Sequence, residues 1–288
     1  MFPAILILIG ETFMKTLLLI FLMLLPNFTF ALPTVKLISY DYFLHEGEKS
    51  INDEQYINTF IKELSNQFKV EQYNTNAARM LKELSNQSQA CSFNILKTAQ
   101  REKQFIFSDI PSSMFLQRRL FGLKETIQNF PEKVSISKLL ANNYTFAVIT
   151  STSYQELDST LMMYQHQTAP IIGADSFSRL AKLLLHKRVD FIIDYDMSVN
   201  HFLTDEQYSS LESRQIIEYP EFNSGYFACN NSQEGIEFIS QINTLMQSDT
   251  IRNSIKQYHS ADFGPEIAHQ IMAIYNAKYW HNNTNNRD

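Results

Sequence analysis

The sequence predicts an α/β protein in which the unit strand–helix–strand–helix–strand occurs twice. Three observations predict it. Apolar, β-rich runs alternate along the chain with segments of helical periodicity. Residues 189–193 read as a short strand buried on both faces, as parallel sheets require. No Gly/Ser-rich linker separates the two sets.

The chain opens on an export segment. Lys15 supplies a positive start, and residues 16–25 are an apolar run of the length found in signal peptides. Pro26 breaks any helix, and Thr29 and Ala31 place small residues before a cut at Leu32. A membrane-spanning helix needs about 20 apolar residues, more than this run holds. The signal peptide is therefore expected within residues 1–31. Translation is expected to start at Met14, because Met1 to Phe13 is unusual ahead of such a signal. No cysteine follows the apolar run, so lipid anchoring is not expected.

In the first set, residues 35–40 are a strand and residues 51–68 an amphipathic helix, with Ile57, Phe60, Ile61, Leu64 and Phe68 at helical spacing. A strand at 70–73, a helix at 77–84 and a strand at 91–96 follow. Phe105-Ile106-Phe107-Ser108 comes next, and Pro111 closes that unit. The second set begins after residues 116–121. A strand at 144–149 runs into Thr150-Ser151-Thr152-Ser153, which precedes a helix from about Tyr154. Residues 171–173 are another strand, and Asp175 or Ser176 can cap a helix through Leu185. After the strand at 189–193 come one at 226–229 and helices at 233–247 and 265–279. Pro265 stands at a first helical position, where its missing N–H costs nothing.

Cutting at Ala31 removes Glu11 and Lys15 together, so the net charge stays at −6. An acidic chain without a Lys/Arg block excludes nucleic acid and anionic membrane surfaces as expected partners. The two cysteines, Cys91 and Cys229, are an even pair in an oxidising compartment and are expected to be bridged.

The most specific stretch runs from Cys91 to Pro111. Thr98, Arg101, Phe107, Ser108 and Pro111 stand in the order and spacing of a known pattern: a strand, Thr-x-x-Arg, a short gap, Phe-Ser and a proline. It resembles the family 3 extracellular solute-binding proteins, the periplasmic polar amino acid-binding type, in a less-studied branch. The resemblance covers nearly all of the chain after the signal, strongly in this stretch and weakly elsewhere. His186-Lys-Arg-Val-Asp190 stands where the family has Gly-Arg-x-Asp-Ala, and Gly225 to Cys229 resembles the strand returning to the first lobe. The implied fold is the two-lobed type 2 periplasmic binding fold, each lobe a mixed sheet flanked by helices. Lobe one would comprise residues 32–118 and 226–288, with lobe two between them at 119–225. Cys91 and Cys229 then both fall in lobe one.

The resemblance also implies a site. Arg101 would take the ligand α-carboxylate, for which a planar guanidinium fork is suited. Thr98 would add a hydroxyl to the same group or cap the local turn. Asn94 stands where the family often has Ser or Thr contacts. Thr152 and Ser153 would meet an anionic group at a helix N-terminus or serve as an ordinary cap. The family's acidic residue for the ligand amine falls at Tyr195, counted from Asp190, with Asp194 and Asp196 beside it. Tyr40, Tyr42 and Phe43 would wall the ligand's apolar part or pack as core.

The implied function is capture of a small carboxylate-bearing solute, an amino acid or similar, for an ABC-type importer or a sensor. The protein is expected to be periplasmic and monomeric, with no cofactor and no metal. Competing readings are an enzyme on this scaffold and a binding-deficient relative acting as a structural or regulatory ectodomain. Gly-x-Ser-x-Gly, His-Glu-x-x-His and phosphate-loop patterns are absent from the sequence, and its seven histidines show no ligand spacing.

Overall fold

A computed structural model describes residues 31–39, 51–173 and 175–280. The segment ahead of Ala31 lies outside them, as do Tyr40, Tyr42 and Phe43. The first elements among the described residues are β1 (Thr34–Ser39), α1 (Ile51–Leu64), β2 (Lys69–Asn74), α2 (Ala77–Asn86) and β3 (Ala90–Leu96). A 3-10 turn at Arg101–Lys103 leads to β4 (Phe105–Phe107) and β5 (Ser113–Leu116). The middle of the chain supplies β6 (Arg119–Leu123), α3 (Lys124–Ile127), β7 (Lys133–Val134), α4 (Ile136–Ala141) and β8 (Phe146–Ile149). It continues with α5 (Asp158–Met163), β9 (Thr168–Ile171), α6 (Ser176–Leu185) and β10 (Phe191–Asp194). Then come α7 (Asp196–His201), α8 (Asp205–Ser209), β11 (Leu211–Ile216), β12 (Phe222–Asn230), α9 (Gln233–Leu245) and α10 (Asp249–Lys278).

These strands form two mixed sheets. Sheet one runs β2-β1-β3-β12-β4, with β5 also paired to β12. β1 is parallel to β2 and β3, whereas β12 is antiparallel to β3, β4 and β5. Sheet two runs β7-β11-β6-β10-β8-β9, with β6 antiparallel to both of its neighbours. The chain leaves sheet one after Leu116 and returns at Phe222. The disulfide Cys91–Cys229 joins directly opposed residues of β3 and β12. The loop it closes contains all of sheet two.

Local sequence explains most elements. Tyr56, Ile57, Phe60 and Leu64 bury one face of α1 against sheet one, together with Phe227, Phe238, Ile255 and Ile271. α1 stops at Leu64, four residues short of the expected end, and Phe68 joins the same core from the turn into β2. Asn76 caps α2 by accepting from the Arg79 N–H at 2.9 Å. β10 is buried on both faces because Phe191 and Ile193 pack into one apolar cluster and Ile192 into another on the opposite side of the sheet.

Three expectations are corrected. The helix expected from Tyr154 is instead a 3-10 turn, Gln155–Leu157, followed by the short α5. The Asp158 carboxylate accepts from Ser153 Oγ at 2.7 Å and from the Tyr154 N–H at 2.5 Å, which fixes this tight entry. Asp175 does not cap α6 with its side chain; its backbone is left-handed (φ 55°), and Ser176 donates to the Gly173 carbonyl. The final helix starts at Asp249 rather than Pro265. Gly264, at φ 77°, breaks it, and Pro265 opens its second half.

Candidate functional site

The two sheets meet end to end at the crossings. In sheet one Leu96, the last residue of β3, opposes Gly225 near the start of β12, and Phe222 opposes Leu116 at the end of β5. The carboxyl end of β3 therefore lies on the crossing side. In sheet two Asp194, the last residue of β10, opposes Arg119, the first residue of β6 after the crossing. β8 runs parallel to β10, so its carboxyl end faces the same way. Carboxyl ends of strands around such a crevice are where open α/β sheets bind ligands.

On sheet one, Thr98 Oγ1 accepts from the Arg101 N–H at 3.3 Å and the Thr98 carbonyl accepts from the Glu102 N–H at 2.9 Å. Thr98 thus caps the turn, one of its two expected roles. Half-buried Arg101 turns its guanidinium back over the strand end, donating from Nη1 to the Leu96 carbonyl at 3.0 Å. Asn94 stands in the left-handed region (φ 61°) inside β3. Its Oδ1 accepts from Ser113 Oγ, and its N–H donates to Ser112 Oγ at 3.3 Å. The side chain lies so close over Gly225 that a Cβ there would fall 2.0 Å from Asn94 Oδ1. Asn94 therefore clamps β3 to the crossing.

The segment entering the crossing is gripped by buried side chains. Pro111 O accepts from Tyr275 Oη at 2.9 Å, Ser112 O from Tyr56 Oη, and Ser112 Oγ donates to the Gly225 carbonyl at 3.0 Å. His259 Nε2 accepts from the Met114 N–H at 2.9 Å, while Nδ1 bonds the Ile255 carbonyl at 2.7 Å. This is a neutral imidazole, and burial lowers its pKa to about 4.

On sheet two the centre is Arg118, a residue sequence reasoning missed. It is 1% exposed. Its Nη1 donates to the Ser153 carbonyl at 2.6 Å, and it hydrogen-bonds the Tyr219 side chain. The guanidinium carbon lies 4.7 Å from the Tyr195 ring centre and 5.0 Å from that of Tyr154. Tyr219 Oη donates to the Tyr154 carbonyl at 3.0 Å. Burial pushes the Tyr154 and Tyr219 phenols far above their usual range against the opposing pull of the Arg118 charge, so both are neutral. Asp194 is buried; its carboxylate accepts from the Tyr195 N–H at 2.8 Å and from Ser198 Oγ at 3.2 Å. Tyr195 also reaches sheet one. Its ring meets Phe115 edge-on at 5.3 Å, and its hydroxyl receives Asn223 Nδ2 at 3.5 Å.

The structure thus brings Ser153 and Tyr195 together around Arg118, with Asp194 adjoining Tyr195, and separately joins Thr98 to Arg101. Thr152 donates its N–H to the Ile149 carbonyl at 3.2 Å and, like Ser153, precedes the 3-10 turn rather than a helix. Arg118 escaped the sequence because an Arg-Arg pair after an apolar run looks like surface. The one signal was the pair of tyrosines following strands, Tyr154 and Tyr195. Among the described residues no cluster of His, Cys, Asp and Glu could hold a metal ion. No described helix is long and apolar enough to cross a membrane.

The fold is similar to that of several solved structures. A solved structure concerned with glutathione import through the cystine ABC importer of Streptococcus mutans is 12% identical, with 80% of this chain and 95% of that chain covered, at TM-score 0.61. An ancestral arginine-binding protein bound to arginine is 18% identical over 80% of this chain and 98% of that one, at TM-score 0.60. A histidine kinase sensor domain with similarity to periplasmic binding proteins is 11% identical over 80% and 95%, also at 0.60. The fold is that of the periplasmic binding proteins. No protein-family profile and no curated protein matches the chain.

Proposed function

We propose that the protein is a periplasmic solute-binding protein of the family 3 type, closing two lobes over a small carboxylate-bearing solute, an amino acid or similar. Lobe one would be built on sheet one and lobe two on sheet two. The observation that carries this reading is the convergence of the carboxyl ends of β3, β8 and β10 on the two crossings, with the Arg101 guanidinium at the end of β3. Arg101 and Thr98 would hold the carboxylate, with Thr152, Ser153, Asp194 and Tyr195 completing the site from lobe two. Hinge closure would bury the solute among these few polar groups.

Export by a signal peptide cut before Leu32 belongs to the same proposal, as does a monomer serving an ABC-type importer. A sensor role is a second reading, supported by the likeness to the histidine kinase sensor domain. The solved structures named include a binding protein and a sensor domain, and another concerns an ABC importer, which supports a protein that captures rather than transforms its ligand.

A thermal-shift panel of amino acids, small peptides and other carboxylates tests the proposal. A ligand at 1,000 times its Kd stabilises by about 4 kcal/mol, and Arg101→Ala should abolish the shift. If every carboxylate leaves the melting temperature unchanged, the proposal fails; a shift that survives Arg101→Ala removes Arg101 from the site.

A further inference from the structure

Tyr195 is placed where four segments meet. It follows β10 of sheet two, yet its ring packs on Phe115 of β5 and its hydroxyl bonds Asn223 of β12, both strands of sheet one. The opposite side of that contact is set by Arg118, 4.7 Å from the ring. The same guanidinium holds the Ser153 carbonyl at 2.6 Å and adjoins Tyr154. One buried cation therefore ties the first crossing to the loops after β8 and β10, and through Tyr195 to the strand that makes the return.

We propose that Arg118 is the positioning residue of the sheet-two half-site and, through Tyr195, the latch that holds sheet two against sheet one at the crossings. Only a planar guanidinium can serve here. It adjoins two rings while its N–H fork serves Ser153 and Tyr219, which a point-charge ammonium cannot reproduce. Cation–ring contacts tolerate displacement within about 6 Å of the ring centre, whereas hydrogen bonds weaken steeply as they bend. Ser153 is thus fixed by a directional bond while Tyr195 can slide. The half-site stays assembled as sheet two swings, and the swing is limited by the Tyr195 contacts. This goes beyond the solute-binding reading, and its mechanical half stands without it.

Small-angle scattering of the purified protein without solute tests the latch directly. Arg118→Met and Tyr195→Leu should each broaden the pair-distance distribution while circular dichroism stays native. The double variant should broaden it no further, because both changes break the same chain of contacts from Arg118 through Tyr195 to sheet one. An unchanged distribution in the folded variants, or strictly additive broadening, overturns the latch. Tyr195→Leu keeps an apolar side chain and removes the ring and its hydroxyl together, so the test survives should Arg118→Met fail to fold. A second arm uses L-arginine and L-glutamine as probes. Arg118→Met should weaken whichever binds by about tenfold, within the usual range of coupling between sites. Unaltered affinity overturns the positioning role. Absence of binding by either probe to the unmutated protein removes that role and counts against the solute-binding reading, and leaves the latch to be judged by the scattering.

Discussion

The two sheets present equivalent ends to the crossings but secure them by different physics. Sheet one uses short, directional, uncharged bonds: Tyr56, Tyr275 and Ser112 on backbone carbonyls, His259 on the Met114 N–H, and Asn94 pressed over Gly225. A disulfide reinforces the strands that bear them. Sheet two uses a buried cation that bonds Ser153 and Tyr219 directionally and meets Tyr195, the residue that touches sheet one, over its ring. Directional bonds define a single geometry, whereas cation–ring attraction accepts a range. Sheet one is thus built as the rigid platform, and sheet two as the body whose attachment yields.

The largest expected asymmetry concerns the covalent link. Cys91 and Cys229 stand 138 residues apart in sequence, and the loop between them encloses sheet two. The chain-entropy model gives about 5 kcal/mol for closing a loop of that length, as an upper figure. The Cys91→Ala/Cys229→Ala double variant should lose about 4 kcal/mol or more in urea unfolding. A loss under about 1 kcal/mol would mean that the uncharged bonds of sheet one suffice without the link.

A pair of glycines compares the platforms more locally. At Gly225 an added Cβ would meet Asn94 Oδ1 at 2.0 Å and Asn94 Cα at 2.8 Å, so backbone must move. At Gly122 in β6 it would meet the buried Phe191 ring at 2.9 Å and Ile127 Cβ at 3.3 Å, side-chain rather than backbone atoms. Gly225→Ala should cost about 3 kcal/mol, the upper end for overpacking, and Gly122→Ala distinctly less. Equal losses in matched denaturant curves would show sheet two to be as unyielding as sheet one.

What the sequence made legible divides along the same line. β3, the turn and β4 were readable because Thr98, Arg101, Phe107 and Ser108 act within a few positions of one another. β10 was readable from the apolar residues Phe191, Ile192 and Ile193. The Arg118 cluster was not, because Ser153, Tyr195 and Tyr219 lie 35 or more residues away and only the fold makes them neighbours. Nor was the helical half before Gly264, where Ile251, Ile255 and His259 are the buried face of an otherwise polar segment. The left-handed backbone of Asn94 and its fit over Gly225 leave no local trace in sequence.

The smallest expected effect is tied to His259, whose acceptor nitrogen holds β5 of the platform. Its folded pKa, about 4, lies below the unfolded value near 6.5, so the unfolded chain binds the extra proton between those values. Stability from this group is complete above pH 6.5 and is lost as pH falls toward 4. The linkage gives about 2 kcal/mol lost between pH 7.5 and pH 5. His259→Gln lowers stability at pH 7.5 but removes this proton from the balance, so its stability-versus-pH slope over that interval should fall below that of the unmutated protein. An identical slope in both proteins would mean that the imidazole titrates normally, and the Met114 bond would then be no fixed part of the platform. Around Arg118 the charge is a permanent cation and the Tyr154 and Tyr219 phenols remain neutral across this range, with the Asp194 and Asp158 carboxylates adjoining Tyr195 and Ser153. Acid should therefore loosen the platform before the latch, and amide exchange at Met114 should accelerate toward pH 5 relative to the Ser153 loop once intrinsic rates are divided out.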